Sequence, residues 1–340
     1  MRRTYWIVLT AVPVLLAAAD VAYWRVAADR LRGGLQDWIE ARRSEGWVIE
    51  TAPAALGGWP QAASVTVADL HMRHAGKDFP GDLDWRGSGI ALSVALYLPT
   101  DLHVAFKGPQ HLRIGTLPDT AITGDAIEAV VPFRPNAPAS FDLHANGLNV
   151  QPSAGPWHVT AGLLNARADM ATEPGVGFSV SAEAITLPPG FRWPLGPNIS
   201  SFSTEGTLNG PFPPAGDITA GARAWRDGGG SLEVSHLTMG WGPLGITSSA
   251  TLALDDQLQP MGSGSARVAG YAEALDRLAA GGLLTKSAAT AAKAVLSLLA
   301  GTGEGGETSE VDVPLTLQYR TLSMRQVPLI RFPELDWPAR

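Results

Sequence analysis

Hydrophobic and polar positions alternate along most of the chain after residue 47, and the clearest run covers residues 90–98. Its apolar positions are Ile90, Leu92, Val94, Leu96 and Leu98. Because successive side chains of a strand point to opposite faces, this period of two predicts a strand with one apolar face. The run stops at Pro99 and resumes over residues 102–106, which predicts a neighbouring antiparallel strand.

A second region, residues 231–260, predicts a hairpin. Alternation begins at Leu232, slips near His236 and continues to Trp241, where a turn rich in Gly and Pro follows. Alternation on both sides of such a turn is typical of a half-buried antiparallel hairpin. Similar segments continue to residue 319, so the sequence predicts a mainly β (α+β) fold built on a long curved antiparallel sheet.

The pattern changes over residues 271–300, where it predicts a two-helix insertion near the C-terminus. A short helix covers YAEALDRLAAGG, and a longer one covers LLTKSAATAAKAVLSLLA. The polar residues of the longer helix fall on one narrow stripe, and they are Lys286, Thr290, Lys293 and Ser297. We therefore expect this helix to be mostly covered, either by packing on the sheet or by lying on lipid.

Local composition suggests how the chain is divided. Residues 191–216 are rich in Pro, Gly and Ser, and we expect them to connect a first β half, residues 47–190, to a second β half, residues 217–335. The second half is expected to begin with a strand that contains Ile218 and Ala220. The chain contains 38 Gly and 26 Pro, a density that suits many short strands joined by turns.

The N-terminal segment predicts a membrane helix. Residues 5–24 are largely apolar apart from Asp20, and aromatic residues stand at both ends, as at a membrane interface. Two interpretations of residues 1–24 stay open. The segment is either an uncleaved transmembrane anchor or a signal peptide that is cut after Ala19, where small residues make a plausible cleavage site.

Residues 25–46 predict a second, juxtamembrane helix. Its apolar stripe consists of Val26, Leu31, Leu35, Trp38 and Ile39. Gly33 and Gly34 are a weak point, since each Gly inside a helix costs about 1 kcal/mol relative to Ala. Arg25, Arg30 and Arg32 closely follow the apolar segment, so the positive-inside rule does not favour export of the C-terminus, whereas the very short N-terminal tail does.

The overall charge excludes some classes of partner. Charged residues make up only 17% of the chain, against roughly 25% in a typical soluble domain. The formal net charge of −7 argues against a nucleic-acid surface, because phosphate neutralisation needs clustered Lys and Arg. With no cysteine, the chain has no disulfide, no thiolate metal site and no cysteine nucleophile.

Candidate catalytic and cofactor motifs are weak. Residues 301–306 match GxGxxG, but a helix is expected before them and a strand after them, the reverse of a dinucleotide-binding unit. His71 and His74 would point to opposite faces of a strand, so we expect two exposed histidines rather than a metal pair. Asp255 and Asp256 fit a turn. The sequence predicts a non-enzymatic protein without cofactor or metal, and a hydrolase of envelope polymers is the weakest interpretation.

Several motifs share Gly, Pro, Trp and apolar positions with a known family. They are GGWP from Gly57, ALYLP from Ala95, KGPQ from Lys107, WGPLGIT from Trp241, LALDDQLQPMG from Leu252 and VPLTL from Val313. With these motifs, most of residues 47–335 resembles the bacterial domain-of-unknown-function family 2125. The resemblance implies an envelope-associated protein with an N-terminal membrane segment and a β-rich body. It also implies a distant similarity to AsmA-like proteins, whose curved sheets present an apolar groove and are linked to lipid movement between membranes.

One-sided alternation leads to a lipid-binding hypothesis. An open apolar face needs a partner, because apolar patches beyond a few hundred Å² rarely stay exposed on monomers. We expect the side chains that line such a groove to be Ile90, Leu92, Val94, Leu96, Leu102, Val104 and Phe106. The alternative is that the same side chains pack against a second sheet layer in a closed core.

Two functional hypotheses follow. The first is a membrane-anchored envelope protein that binds or guides membrane lipid, in the inner membrane with a single pass and with its body in the periplasm. The second is a structural or scaffolding protein that binds an envelope protein partner through a sheet edge or through Trp-bearing loops. Neither hypothesis involves nucleic acid.

Overall fold

The computed structural model describes most of the chain, and for some of these residues, among them residues 2–13, it describes the backbone alone. The described residues are 2–75, 82–115, 117–132, 140–155, 158–170, 175–210, 218–299, 311–324, 327–335 and 337.

Four helices and seventeen strands form within this part of the chain. The helices are α1 (Arg2–Ser44), α2 (Ile218–Asp227), α3 (Tyr271–Ala280) and α4 (Lys286–Leu299). The strands of the N-terminal half are β1 (Trp47–Glu50), β2 (Ala55–Gly57), β3 (Ala62–His74), β4 (Leu83–Ala95), β5 (Asp101–Ile114), β6 (Thr120–Thr123), β7 (Ala126–Pro132), β8 (Ser140–Pro152) and β9 (Val159–Asp169). Those that follow are β10 (Gly175–Thr186), β11 (Asn198–Asn209), β12 (Ser231–Trp241), β13 (Leu244–Leu254), β14 (Pro260–Ala269), β15 (Val311–Gln318), β16 (Thr321–Met324) and β17 (Val327–Arg331).

All strands belong to one antiparallel sheet in which neighbours along the chain are neighbours in space. β3, β4 and β5 pair in sequence, and from β8 each strand pairs with the next one as far as β17. Two positions hold interrupted strands, since β1 and β2 share one side of β3, and β6 and β7 lie between β5 and β8. The prediction of a mainly β protein with a long antiparallel sheet is confirmed.

The strand register places the apolar positions of successive strands on one face. A single row of directly paired residues crosses the sheet from β3 to β15, and only Thr204 and Ser248 in it are polar. The row is Val65, Leu92, Val104, Ala129, Leu143, Ala166, Val180, Thr204, Leu237, Ser248, Ala266 and Val313. Because adjacent strands lie about 4.8 Å apart, this apolar face extends for roughly 50 Å.

One helix, α1, occupies both the predicted membrane segment and the predicted juxtamembrane helix. It packs on β1, β2 and β3 at one end of the sheet. Leu31, Leu35 and Ile39 of α1 contact a core that includes the fully buried Val65 and Val67. Of the helices in the described part of the chain, none combines the length and the apolar character that crossing a membrane requires.

The predicted two-helix insertion is confirmed as α3 and α4, which cover the apolar face near the other end of the sheet. Tyr271 and Leu275 of α3, with Leu296 of α4, pack against a group of strand residues. These are Val268, Val313, Leu315 and Met324. The longer predicted helix corresponds to α4, and through Leu296 it packs on the sheet, as one of the two interpretations expected.

Three local predictions had different outcomes. The slip near His236 is confirmed as a bulge, because the β12–β13 register shifts between Val234 and Leu237. The strand expected at Ile218 and Ala220 is wrong, since both residues lie in α2. Apolar residues of α2 do alternate over residues 218–224, but Ile218, Ala222 and Trp225 also have helical spacing, so the pattern fits either element. Trp225 Nε1 donates a hydrogen bond of 2.8 Å to the Asn209 carbonyl.

The stretch 191–216, expected to be a connection, contains β11. This strand is rich in Ser and Thr and has few large apolar residues, so it carries little of the alternation that marks its neighbours. β11 pairs with β10 on one side and with β12 on the other. The sheet therefore continues through this stretch.

Candidate functional site

A cavity of about 930 Å³ lies between α1 and the apolar face of the sheet. One wall is α1, which includes a stripe formed by Val26, Arg30, Gly34 and Trp38, and the other wall is formed mainly by β3, β4 and β5. We call this cavity the trough. Its lining is almost entirely apolar, with Arg30 as the one charged side chain among the described residues that form it.

All seven predicted groove residues line the trough. Four lie on or directly after β4, and three lie on β5. Ile90, Leu92 and Leu96 are buried, whereas the other four are half-buried. Leu98, which shares their sequence alternation, lies beyond the end of β4 and is 73% exposed. The sequence pattern thus selected one side of two neighbouring strands, and the structure places that side on a single cavity.

The trough exists because the two flanks of α1 differ. Leu31, Leu35 and Ile39 pack on the core and also border the trough, while the stripe of residues at intervals of four faces the cavity without packing on that core. Val26 and Trp38 of this stripe are 50% and 46% exposed. A Cβ atom added at Gly34 would meet no packing neighbour within 4 Å. The helix therefore packs on the core through one flank and leaves open space beside the other.

Hydrogen bonds hold α1 to two loops at one end of the trough. Asp20 accepts hydrogen bonds from Trp59 Nε1 at 3.0 Å and from the Tyr97 hydroxyl at 2.9 Å. The Tyr23 hydroxyl donates to the Leu96 carbonyl at 3.1 Å, and Trp24 Nε1 donates to the Gly57 carbonyl at 3.0 Å. We call Asp20, Tyr23, Trp24, Trp59 and Tyr97 the clasp. The hydrogen bond and the negative charge of Asp20 raise the pKa of Tyr97.

The opposite, polar face of the first strands carries a ladder of paired charges. Asp84 lies 3.1 Å from His71 Nε2 and 3.4 Å from Arg113 Nη2, so it joins three strands. Asp119 lies 3.2 Å from Arg86 Nη2 and pairs with a histidine of β5 as well. These contacts link neighbouring strands on a solvated surface, where each pair contributes little to stability.

The two histidines of β3 do point to opposite faces, but the expectation that both are exposed is wrong. His74 is only 9% exposed, and its ring lies 4.7 Å from the ring of Trp47. His71 is half-buried and pairs with Asp84. The alternation of buried and exposed side chains in β3 reverses between Val67 and Leu70, across Asp69 with its positive φ of 50°, while the β3–β4 pairing register stays constant. His74 therefore joins the apolar face together with Leu70.

Groups of three or more His, Asp or Glu side chains that could hold a metal are not found in the described part of the chain. The GxGxxG match at residues 301–306 lies outside the described residues. Asp255 is confirmed in a turn, where its Oδ1 accepts hydrogen bonds from the amides of Gln257 and Gln259 at 2.9 and 2.8 Å. The trough is therefore the feature that the geometry offers as a functional site, and its chemistry is that of apolar binding.

Sequence reasoning missed the helix wall of the trough. Gly34 was identified only as a weak point of a helix, and Arg30 only as one of several positive charges. A signal was present, because Val26, Arg30, Gly34 and Trp38 recur every four residues and so share one flank of a helix. That signal does not show which surface the flank faces, since the contact depends on residues far away in the chain.

Comparisons with known proteins agree with the motif resemblance. No curated protein and no solved structure matches the chain. A family model matches residues 24–333, which include α1 from Trp24 onward and all seventeen described strands. The chain therefore belongs to the bacterial family described as "uncharacterized protein conserved in bacteria (DUF2125)".

Proposed function

We propose that the protein is a membrane-anchored envelope protein that binds lipid acyl chains in the trough. The observation that carries this proposal is a single cavity of about 930 Å³ with an almost entirely apolar lining. Cavities that bind small ligands commonly measure about 300–1,000 Å³, so the trough is large enough for a lipid chain. Each methylene group that leaves water for such a lining contributes about 0.8 kcal/mol.

The polarity of the lining supports an acyl chain over a sugar or a nucleotide. A polar ligand would leave its hydroxyl or phosphate groups without partners along β4 and β5, where the lining consists of Ala, Val, Ile, Leu, Phe and Trp side chains. An acyl chain has no such groups and needs no directional contacts. The protein would then bind its ligand without transforming it, in agreement with the expectation of a non-enzymatic role.

The position of the clasp supports a membrane at one end of the trough. Next to the clasp, the α1 residues Val14, Leu15 and Leu16 are each about two-thirds exposed, and Leu98 is exposed on the neighbouring loop. Exposed aliphatic residues beside Trp59 and Tyr97 have the composition of a membrane interface, where aromatic side chains lie at the level of the headgroups. We infer that residues 5–24 associate with the bilayer, so that the trough opens close to the membrane surface.

Filling the trough from the helix side tests the proposal. Gly34→Leu places an isobutyl group in the open space, and it replaces a poor helix former by a good one. Gly33→Leu is the matched control, because Gly33 also has open space around its Cβ position but does not line the trough. Binding is measured by displacement of a fluorescent fatty acid from the full chain, and folding is measured by thermal denaturation.

We expect Gly34→Leu to weaken binding about tenfold or more, a free-energy change of about 1.4 kcal/mol, without loss of thermal stability. Gly33→Leu should bind as the unmodified chain does. Equal binding by all three proteins would contradict the proposal, and so would a failure of the unmodified chain to bind any fatty acid.

A further inference from the structure

We propose that Arg30 forms a headgroup site, so that the trough selects amphiphiles with one apolar chain and an anionic head, either a carboxylate or a phosphate. This inference rests on the proposed function, since it assigns the chemical class of the ligand at the same site. It is carried by the placement of one charged side chain in a lining that is otherwise uncharged.

The first observation is that the guanidinium of Arg30 is not engaged. Within the described residues, neither a hydrogen bond nor an ion pair occupies it. The adjacent carboxylate, Asp29, is taken by other partners, because it lies 3.1 Å from Arg25 Nε and 2.8 Å from Arg32 Nη2. Two of the three arginines in this part of α1 thus share one aspartate, and the third remains available for a ligand.

The second observation is where Arg30 lies. It stands in the middle of the helix stripe, four residues from Val26 on one side and four residues from Gly34 on the other. Tyr23 of the clasp is seven residues away, which is about 10 Å along a helix. Apolar lining continues beyond Arg30 to Trp38 and Ile39. A ligand with its head at Arg30 therefore has an apolar path in the direction away from the clasp.

Arginine is suited to this task in a way that a neutral residue is not. Its side chain is exposed, so the charge stays hydrated while the trough is empty, and its aliphatic stem can lie along the apolar wall. Its planar fork binds a carboxylate or a phosphate through two parallel hydrogen bonds. A purely structural role would need only the stem. An apolar residue would serve that role equally well and would extend the apolar stripe.

The test compares three ligands that share an oleoyl chain and differ at the head. Oleate carries a carboxylate, oleoyl lysophosphatidic acid carries a phosphate, and oleyl alcohol is neutral. Radiolabelled forms of each are bound at equilibrium to the full chain and to the variants Arg30→Gln, Arg30→Lys and Arg25→Gln. Arg25→Gln is the control, because Arg25 lies five residues away on α1 but does not line the trough.

We expect the unmodified chain to bind the two anionic ligands at least about tenfold more tightly than the alcohol, as a charge-assisted pair would produce. Arg30→Gln should remove this preference while it leaves binding of the alcohol unchanged. Arg30→Lys should retain part of the preference, because it keeps the charge but loses the fork. Arg25→Gln should behave as the unmodified chain does. Whichever anion loses more affinity in Arg30→Gln identifies the preferred head.

Two results would overturn the headgroup site. One is equal binding of all three ligands by the unmodified chain, which would leave the acyl-chain proposal intact. The other is an equal loss of all three ligands in Arg30→Gln, which would assign Arg30 a structural role. Failure of every ligand to bind the unmodified chain would instead contradict the proposed function itself, and the headgroup site with it.

Discussion

Helices cover the apolar face of the sheet at two places, and the two contacts differ in how completely they close. At the N-terminal end, α1 lies on β1 to β3 and leaves the trough along one flank. At the C-terminal end, Tyr271 and Leu296 pack directly against the strands, and Tyr271 is only 8% exposed. The apolar face therefore meets a cavity under one helix and a filled contact under the others.

The difference depends on the helix residues rather than on the sheet. Near the trough, the strands present large apolar side chains, and the facing stripe of α1 contains Gly34, which fills nothing. Near α3, the cross-strand row includes small residues such as Ala266, and the helix supplies an aromatic ring and leucines that fill the space. Another cavity, of about 690 Å³, lies on the polar face of β12 to β15, and Ser and Thr side chains form much of its lining. It is not a continuation of the trough.

The sharpest test of this comparison measures both the free energy of unfolding and fatty-acid binding in one variant from each end. Tyr271→Ala removes a buried ring at the filled contact, and we expect it to lower the free energy of unfolding by about 3–5 kcal/mol. Trp38→Ala removes a half-exposed ring at the trough, and we expect a loss of less than about 1.5 kcal/mol. Fatty-acid binding should change in the opposite order, with the larger loss in Trp38→Ala. Chemical denaturation and probe displacement measure the two effects.

Tyr319→Ala is the control for both, because Tyr319 is 84% exposed and lies far from the trough along the sheet. It should change neither quantity measurably. If Tyr271→Ala reduced binding more than Trp38→Ala does, the two ends would not have separate roles.

A glycine pair sharpens the description of the filled end. Gly270, directly before α3, has φ 69°, and a Cβ there would clash with the Pro243 carbonyl oxygen. Gly282, just after the same helix, has φ 79° but open space around it. Gly282→Ala should cost about 1–2 kcal/mol from backbone strain alone, and Gly270→Ala should cost more because the backbone must also move.

Both costs appear as shifts of the midpoint of chemical denaturation. Equal shifts for the two variants would mean that α3 is not fixed on the β12–β13 turn. Because this change lies at the filled end, neither variant should alter fatty-acid binding beyond its effect on the folded fraction.

The smallest expected effect concerns the clasp. Asp20→Ala removes the acceptor of two hydrogen bonds, from Trp59 and Tyr97, on an exposed surface. We expect faster hydrogen exchange of the α1 amides near the clasp and no change in α4. Glu40→Ala, an exposed change on the same helix, should leave both unaffected. Unchanged exchange around Asp20 in Asp20→Ala would show that the clasp does not hold α1.

The pKa of Tyr97 gives the clasp a pH dependence at the alkaline end. Since its hydrogen bond to Asp20 raises the pKa in the folded state, the neutral phenol is the form that stabilises the contact. That contribution is fully present below the ordinary tyrosine pKa of about 10 and is lost as the pH rises through the raised value. We therefore expect the α1 amides near the clasp to lose protection from hydrogen exchange as the pH rises through the raised pKa of Tyr97. Tyr97→Phe should not show this pH-dependent loss.

The faces of the strands could be predicted from the sequence, and the helix that faces them could not. Alternation at residues 90–94 and 102–106 is local information, because each strand places every second side chain on one side. The stripe of α1 was visible too, but an apolar helical stripe fits a membrane, a core or a groove wall equally well. Which of these surfaces the stripe contacts depends on β3, which lies more than twenty residues further along the chain.

Two errors came from local signals that were weak or interrupted. β11 has Ser, Thr or Gly at half of its positions, so its place in the sheet is determined by pairing with β10 and β12 rather than by alternation. The burial of His74 follows from the reversal of alternation at Asp69, whose positive φ has no signal in the alternation of the sequence. Such a one-residue irregularity moves the later side chains of the strand to the other face.

Photo-crosslinking with a fatty acid that carries a diazirine in its acyl chain tests the central claim most directly. Irradiation of the full chain with this ligand, followed by peptide mapping, reports which residues the chain contacts. The account predicts labelling of α1 at residues 26–39 and of residues 90–106, with α3 and α4 unlabelled. Labelling that centres on α3 and α4, or that is absent from the trough, would contradict it.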